Sequence, residues 1–301
     1  MPAGQAFIDL LANTAVTFDP SLPHPLTVSP NAARAICAPE QAALAARGQS
    51  TRRDEGVMAL APLGGGPVQN VPAIVVIGAS GPAAGGGGKS AILIEPALAG
   101  RVLIAVGGTA VSDPMARANG GGAVCMGAGG DGLVVALGGD GAAGGTTPGP
   151  SGNGQDGGDG GQAIAIALND GAAALSLGGR GQPLSFGGTG VAGIPFRNVI
   201  EQFFFRFFGI WAIPPAPAGT DGIDDGDGGH AYTVGANYSR LTAYGGASSP
   251  TTFVPPPFPP GAPTGPPSLA LDGLAAVHHG VHCSITCKNG DGSQGTVKPR
   301  P

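Results

Sequence analysis

The sequence predicts a mainly β protein: a glycine-rich stack of short strands, solenoid or sandwich-like, with extended arms and one short aromatic helix. Three observations carry this expectation. From Pro72 to Gly190, short apolar runs alternate with glycine clusters. Within that region three stretches can be laid over one another: Ser90-AILIEPALAGRVLIAVGG, Gly122-AVCMGAGGDGLVVALGG and Gln162-AIAIALNDGAAALSLGG, with a shorter relative, Pro72-AIVVIG, before them. Charged residues make up only 11% of the chain, against about 25% in an ordinary globular protein.

Each stretch opens with an apolar run, turns at a glycine, runs apolar again and reaches Gly-Gly. In Ala163–Leu168, small and large residues alternate. Ile164, Ile166 and Leu168 therefore share one face of a strand and the alanines share the other. Asn169-Asp170-Gly171 supplies residues that tolerate positive φ, which suits a hairpin or a corner. Ala91–Ile94 and Val102–Val106 are apolar on both faces, which predicts burial on both sides. The stretches begin at unequal intervals, so the reading is stacked units with insertions on one side. One unit alone cannot bury its apolar face; stacking buries it, and glycine lets backbones approach.

Proline and glycine content of this order by itself points to disordered low complexity. The apolar fraction of 42% and the ordered alternation argue against that. The tract Gly141–Gly161 has no apolar payload. It reads as a loop or as a bundle of extended glycine-rich helices akin to polyproline II.

Around the repeat, the chain divides into a region of residues 1–60, the repeat over 61–193, an aromatic segment over 194–213 and a proline-rich region over 214–301. In the first, Gln5–Asn13 reads as a short helix, Thr14–Val28 as an extended linker and Ala32–Arg47 as helical. Pro39 there starts a new turn and Gly48 ends it. Arg47, Arg52 and Arg53 form a small cationic cluster, and the whole region reads as an arm for a neighbouring subunit. In the aromatic segment Phe196, Val199, Ile200, Phe203, Phe204, Phe207, Phe208 and Trp211 recur at spacings of three and four, one face of a helix. Its expected roles are packing and interface: a cap on the open end of the stack, or the centre of a subunit contact. Ala231–Leu241 reads as a strand, and Val281–Val297 as a terminal hairpin turning at Asn289–Gly292.

Composition limits the functions available. The net charge is −5 and the lysines are Lys89, Lys288 and Lys298. With no basic patch, nucleic acid is not an expected partner. No apolar stretch reaches about 18 residues, so no membrane span is expected. The amino terminus, MPAGQAFIDLL, lacks the pattern of a secretory signal. Four cysteines do not make a disulfide framework. With so little charge, much of the surface is expected to be covered by other copies or other proteins, or coated with glycine.

Three groups of residues invite chemistry. Ala83–Ser90 formally matches a relaxed phosphate-binding loop, with Gly88, Lys89 and Ser90 as the nucleotide-binding positions. An apolar strand follows Ser90, where a helix N-terminus should stand. The acidic glycine loops, including Asp224 and Asp227, offer oxygen ligands, but their spacing fits no calcium motif. His279, His282 and Cys283 are metal candidates by residue type. Cys283 and Cys287 on one strand lie roughly 13 Å apart, too far for a disulfide. No catalytic motif is present, and neither a cofactor nor an enzyme activity is expected.

Over residues 62–193, the glycine-cluster-plus-strand pattern resembles the glycine-rich domains of phage tail adhesins and fibres, and of bacterial surface repeat proteins. The resemblance implies a non-enzymatic structural or adhesive assembly protein, located in a virion, with an extracellular or cell-surface setting as the alternative. Its implied partners are other copies of itself, neighbouring structural proteins and a host-surface glycan. Two other readings are a P-loop nucleotide-binding protein using Ala83–Ser90, and a secreted ice- or glycan-binding solenoid. The last would be favoured by an even row of Thr or Asn, and the sequence has none.

Overall fold

Alternation of side-chain size decides how the strands face and stack. The computed structural model describes residues 11, 16–18, 26–49, 51–62, 65–96, 100–128, 132–148, 152–185, 194–195, 212–213, 222, 225–248 and 270–300. Two short strands, β1 (Val16–Phe18) and β2 (Leu26–Val28), pair antiparallel where a linker was expected. Helix α1 (Pro30–Ala46) follows, then β3 (Thr51–Leu60) and β4 (Gln69–Gly78), which pair antiparallel along their lengths. The repeat units come next: β5 (Ala91–Glu95) with β6 (Val102–Val106), β7 (Ala123–Gly127) with β8 (Leu133–Leu137), and β9 (Ala163–Ala167) with β10 (Ala173–Leu177). The short strands β11 (Ile194–Pro195) and β12 (Ala212–Ile213) pair antiparallel. Two more units complete the stack: β13 (Ala231–Gly235) with β14 (Arg240–Tyr244), and β15 (Ala275–His279) with β16 (Ser284–Lys288); β17 (Thr296–Pro299) is last.

The two strands of a unit enter different sheets. Sheet I has the order β16-β14-β10-β8-β6-β4-β3, and sheet II the order β17-β15-β13-β9-β7-β5. Every pairing between successive units is parallel and in register. Asn169–Gly171 is therefore a corner between sheets, with Gly171 at φ +78°. Small residues on the inner face of sheet II, among them Ala91, Ala123, Ala163, Ala165 and Ala231, meet Leu103, Val134, Ala174 and Leu241 of sheet I. The other face of sheet I carries Val102, Ile104, Leu133, Val135 and Leu175, and it packs under Ala33, Cys37 and Leu44 of α1. The result is three layers: α1, sheet I and sheet II.

Several expectations need correction. Val102–Val106 is buried on both faces as expected, but β5 is not: Ile92 and Ile94 are each 61% exposed. The cause is the one-sided cover, since α1 lies over sheet I. Helix α1 runs through Pro39 rather than restarting there, because burial of its apolar side outweighs one lost backbone bond. Gly48, at φ +68°, ends it as read. Helix α1 packs on this chain's own sheet I. Ala231–Leu241 is not one strand but most of a fourth unit. Val281–Val297 is not a simple hairpin. Val281–Cys283 form a corner, β16 begins at Ser284, and β17 crosses to pair parallel with β15. A turn at Asn289–Ser293 does exist, with an antiparallel bridge between Lys288 and Gln294. The side chains of Arg52, Arg53 and Phe196–Trp211 lie outside the described residues, as do the helix expected over Gln5–Asn13 (apart from the buried Leu11) and the proline-rich segments.

Candidate functional site

Beyond the strands, the glycine pairs zip the two layers together. Each unit leaves sheet I through one pair (107–108, 138–139, 178–179, 245–246) and enters sheet II through glycine again (120–121, 160–161, 228–229, 273). Within a pair the two N–H groups point in different directions. Gly178 donates to Tyr244 O in its own layer at 2.9 Å, while Gly179 donates to Gly161 O in the other layer at 2.8 Å. The cross-layer bonds form one zigzag, from Gly290 through Gly273, Gly246, Gly229, Gly179, Gly161, Gly139, Gly121 and Gly108 to Lys89. Side chains normally hold stacked sheets about 10 Å apart. Away from Lys89 at the edge, glycine lets the layers close to hydrogen-bonding distance: a Cβ at Gly179 would overlap the carbonyl oxygen of Gly139. This lattice extends into the Gly141–Gly161 tract, where Gly158 donates to Ala142 O and Gln155 to Gly145 O. The described residues of that tract, 141–148 and 152–161, are bonded into this lattice.

The apparent phosphate-binding loop is the first turn of this lattice. Gly86 donates to Val111 O at 2.8 Å, Gly88 to Asn119 O at 3.0 Å and Lys89 to Ala79 O at 2.8 Å. A P-loop needs such amides free for phosphate. Lys89 occupies the place that Gly121, Gly161 and Gly229 hold in later units, and Ser90 leads into β5.

The aspartates are structural in a way their turn propensity did not reveal. Asn119 Oδ1 accepts from Asp159 N at 2.9 Å, Asp159 Oδ1 from Asp227 N at 2.9 Å, and Asp227 Oδ1 from Leu271 N at 2.7 Å. Each carboxylate or amide caps the next unit's backbone. Asp170 and Asn237 do the same at the corners, accepting from Asn237 N and Val281 N. Asp225 accepts from Leu184 N at 2.7 Å. Asp159 also pairs with Arg117. The recurrence of Asn or Asp before Gly-Gly at 119, 159 and 227 was the legible signal for this ladder.

The metal candidates do not converge. His279 Nδ1 donates to the Gly280 carbonyl at 2.7 Å, and Cys283 Sγ donates to Ala236 O at 3.0 Å. The His282 ring stacks on Tyr238 at 5.2 Å and 16°. Asp227 lies at the glycine end, and Asp224 falls outside the described residues. Among the described residues, no three His, Cys, Asp or Glu side chains form a group able to hold a metal. The packing candidates Phe196, Phe203, Phe204, Phe207, Phe208 and Trp211 also fall outside them.

Two residues that sequence reading missed hold α1 to the lattice. Arg34 Nη2 donates to Gly138 O at 2.7 Å and Gly178 O at 2.9 Å, and Nη1 donates to Asp140 Oδ1 at 2.9 Å. Burial pulls the guanidinium below the usual arginine range, and Asp140 opposes that shift. Gln41 Nε2 donates to Gly107 O at 2.8 Å. The helix thus pins the strand ends of three successive units.

These features leave one end of the molecule distinctive. The excursions 109–119, 140–159, 180–227 and 247–272 all leave and re-enter at the glycine end. The corners 96–101, 128–132, 168–172, 236–239 and 280–283 at the opposite end are short. No family model, curated protein or solved structure matches the chain.

Proposed function

We propose that the protein is a non-enzymatic structural or adhesive assembly component of a virion, with a cell surface as the alternative setting. The observation that carries this is that the long excursions leave and re-enter a zipped, two-sheet platform at the same end. Loops held on a rigid scaffold are the usual carriers of recognition. The amides of Gly86, Gly88 and Lys89 are spent on backbone carbonyls, and Asp159, Asp170 and Asp227 cap backbone. The partners in this reading are copies of the same chain and neighbouring structural proteins, and the excursions recognise a host-surface glycan. The scarcity of charge supports a surface covered in an assembly.

The test offers labelled protein to bacterial cells and an immobilised glycan panel, beside a variant with residues 249–269 replaced by a Gly-Ser linker. The expected result is binding by the wild type and at least a roughly tenfold loss in the variant, about 1.4 kcal/mol, with unchanged melting. Failure of the wild type to bind any cell or glycan, together with a monomer in ultracentrifugation, would overturn the proposal.

A further inference from the structure

The corners between the sheets hold one position that changes character along the stack. It lies two residues before a sheet I strand, and the register of β10, β14 and β16 puts Gly171, Tyr238 and His282 in one row. The backbone there is left-handed in each unit where it is described. Its φ is +62° at Gly100, +78° at Gly171, +55° at Tyr238 and +54° at His282. Glycine adopts this conformation freely, whereas a residue with a Cβ is strained in it. Among the described residues, Tyr238 and His282 are the only non-glycine residues with positive φ. The corner is thus built for glycine, and two ring-bearing residues stand in it against a local cost. Strain of this kind gathers at functional positions. Neither ring serves the core, since Tyr238 is 57% exposed and His282 is exposed as well.

The arrangement of these corners defines a site. Successive corners are bonded to one another: Gly171 N donates to Asn237 O at 3.0 Å, and Tyr238 N to Val281 O at 2.9 Å. The His282 ring lies against one face of Tyr238, 5.2 Å away. On the other side of Tyr238 the row continues to Gly171, which supplies no side chain. That face of the phenol ring is therefore open, one strand spacing of about 4.8 Å from the corner below. Two polar groups stand beside the gap, each one residue before a member of the row. Asp170 Oδ1 accepts from Asn237 N, and Asn237 Oδ1 accepts from Val281 N. This leaves Asp170 Oδ2 as an acceptor and Asn237 Nδ2 as a donor. Both residues line a depression of about 680 Å³, together with His279, His282 and Arg300. An aromatic face beside a carboxylate and an amide suits a sugar ring. The C–H groups of a pyranose settle on the negative face of an aromatic ring, and its hydroxyls use acceptor and donor together. An anion would meet the Asp170 carboxylate, and an apolar ring would leave the carboxylate and the amide covered and unpaired. We propose that Tyr238, Asp170 and Asn237 bind a pyranose of a saccharide, stacked on the open face of Tyr238 above Gly171. The long excursions leave the platform at its opposite end, so this site is separate from the recognition proposed for them.

The test is saturation-transfer NMR on the full chain with glucose, galactose, N-acetylglucosamine and their short oligomers. Expected is transfer to at least one of them, strongest at the C–H protons of one face of the ring. Tyr238→Gly restores the residue that the first and third units carry and relieves the strain. It should lower affinity roughly tenfold or more with the melting temperature held or raised. Tyr238→Phe keeps the open face and should still bind. Asp170→Asn keeps the oxygen that caps Asn237 N but removes the carboxylate, and should weaken binding severalfold. Should Tyr238→Gly loosen the corner, Tyr238→Asn removes the ring with a residue that also tolerates left-handed backbone. Transfer to none of these sugars would overturn the proposal, and so would full binding by a folded Tyr238→Gly. Replacing residues 249–269 by a Gly-Ser linker should leave this binding unchanged. Binding lost there but kept in Tyr238→Gly would assign the sugar to the excursions, overturning this site and leaving their role standing.

Discussion

The Gly179 N–H donates to the Gly161 carbonyl at 2.8 Å, joining the end of a sheet I strand to the start of a sheet II strand. Two backbones at that distance leave no room for a side chain. A Cβ at Gly161 would overlap the Gly121 carbonyl oxygen, just as one at Gly179 would overlap that of Gly139. Neither neighbour is a flexible side-chain tip that can swing aside. Gly161→Ala or Gly179→Ala should each cost about 3 kcal/mol or more, in the upper range for overpacking. Gly292→Ala, with open space around it and φ +83°, should cost only about 1 kcal/mol of backbone strain. Denaturant titration of the three variants checks the order.

Arg34 makes its bonds with a side chain only 15% exposed. Truncation to alanine leaves two carbonyls without this donor and Asp140 with Arg180 alone, a loss that should cost about 2 to 3 kcal/mol for a pair only partly buried. Arg34→Lys keeps the charge but not the planar fork that reaches Gly138, Gly178 and Asp140 together, so it should restore only part of the loss. The measurement is denaturation beside limited proteolysis, with cleavage before residue 50 accelerating first in Arg34→Ala.

The strand pairs and their stacking were legible because period-two alternation survives in Ala163–Leu168 and Val102–Val106 whatever packs on them. The fourth and fifth units were harder to see. Arg240 and Thr242 replace the aliphatic residues of earlier units because the cover over sheet I ends before β14, and Tyr232 and Thr233 break the aliphatic pattern in β13 of sheet II. The same loss of cover explains why β5 is not buried on both sides: hydrophobicity alone does not tell which layer a residue faces. Arg34 and Gln41 were illegible because their partners are backbone carbonyls of Gly107, Gly138 and Gly178, far away in sequence and carrying no side-chain signature. The aspartate ladder was half legible. Its spacing before Gly-Gly was visible, but turn chemistry explained those residues without calling on neighbouring units.

Magnesium with ATP should release no binding heat in titration calorimetry. The amides of Gly86, Gly88 and Lys89 are spent on Val111, Asn119 and Ala79, and a strand, not a helix N-terminus, follows the loop. Micromolar binding abolished by Lys89→Ala would require the first lattice turn to unzip.

The Ser176 and Thr233 hydroxyls meet at 2.7 Å between the sheets, both fully buried, and Thr233 Oγ1 donates onward to Thr242 O at 2.7 Å. Thr233→Val leaves Ser176 without its partner in an apolar layer, at a cost of about 1 to 3 kcal/mol. Adding Ser176→Ala removes the stranded group. The double variant should therefore be destabilised by less than the sum of the singles, by roughly 1 kcal/mol or more, which a double-mutant cycle in denaturant measures. Additive effects would mean that the two hydroxyls act independently.

Cys37 and Cys125 set an alkaline limit on the fold. Cys37 is on the buried side of α1, and Cys125 points between the sheets near the backbone of Val135 and Ala105. Burial pushes both thiols up to about 12, from 9.0. The folded chain therefore holds these protons more tightly than the unfolded chain. The stability they confer is complete below about pH 9 and is lost as pH rises toward about 12, on the order of 4 kcal/mol for each thiol over the full window. Tyrosine and lysine titrate in the same range, so the comparison that isolates the thiols is with Cys37→Ala and Cys125→Ala. Each variant should be somewhat less stable than the wild type at pH 7, by about 1 kcal/mol for the vacated volume. Each should also lose less stability between pH 9 and 11.5. At pH 8 a thiol reagent should modify the half-buried Cys283 first, with Cys37 and Cys125 reacting only as the protein unfolds. Parallel pH dependences for wild type and both alanine variants would show that neither thiolate is excluded by the fold.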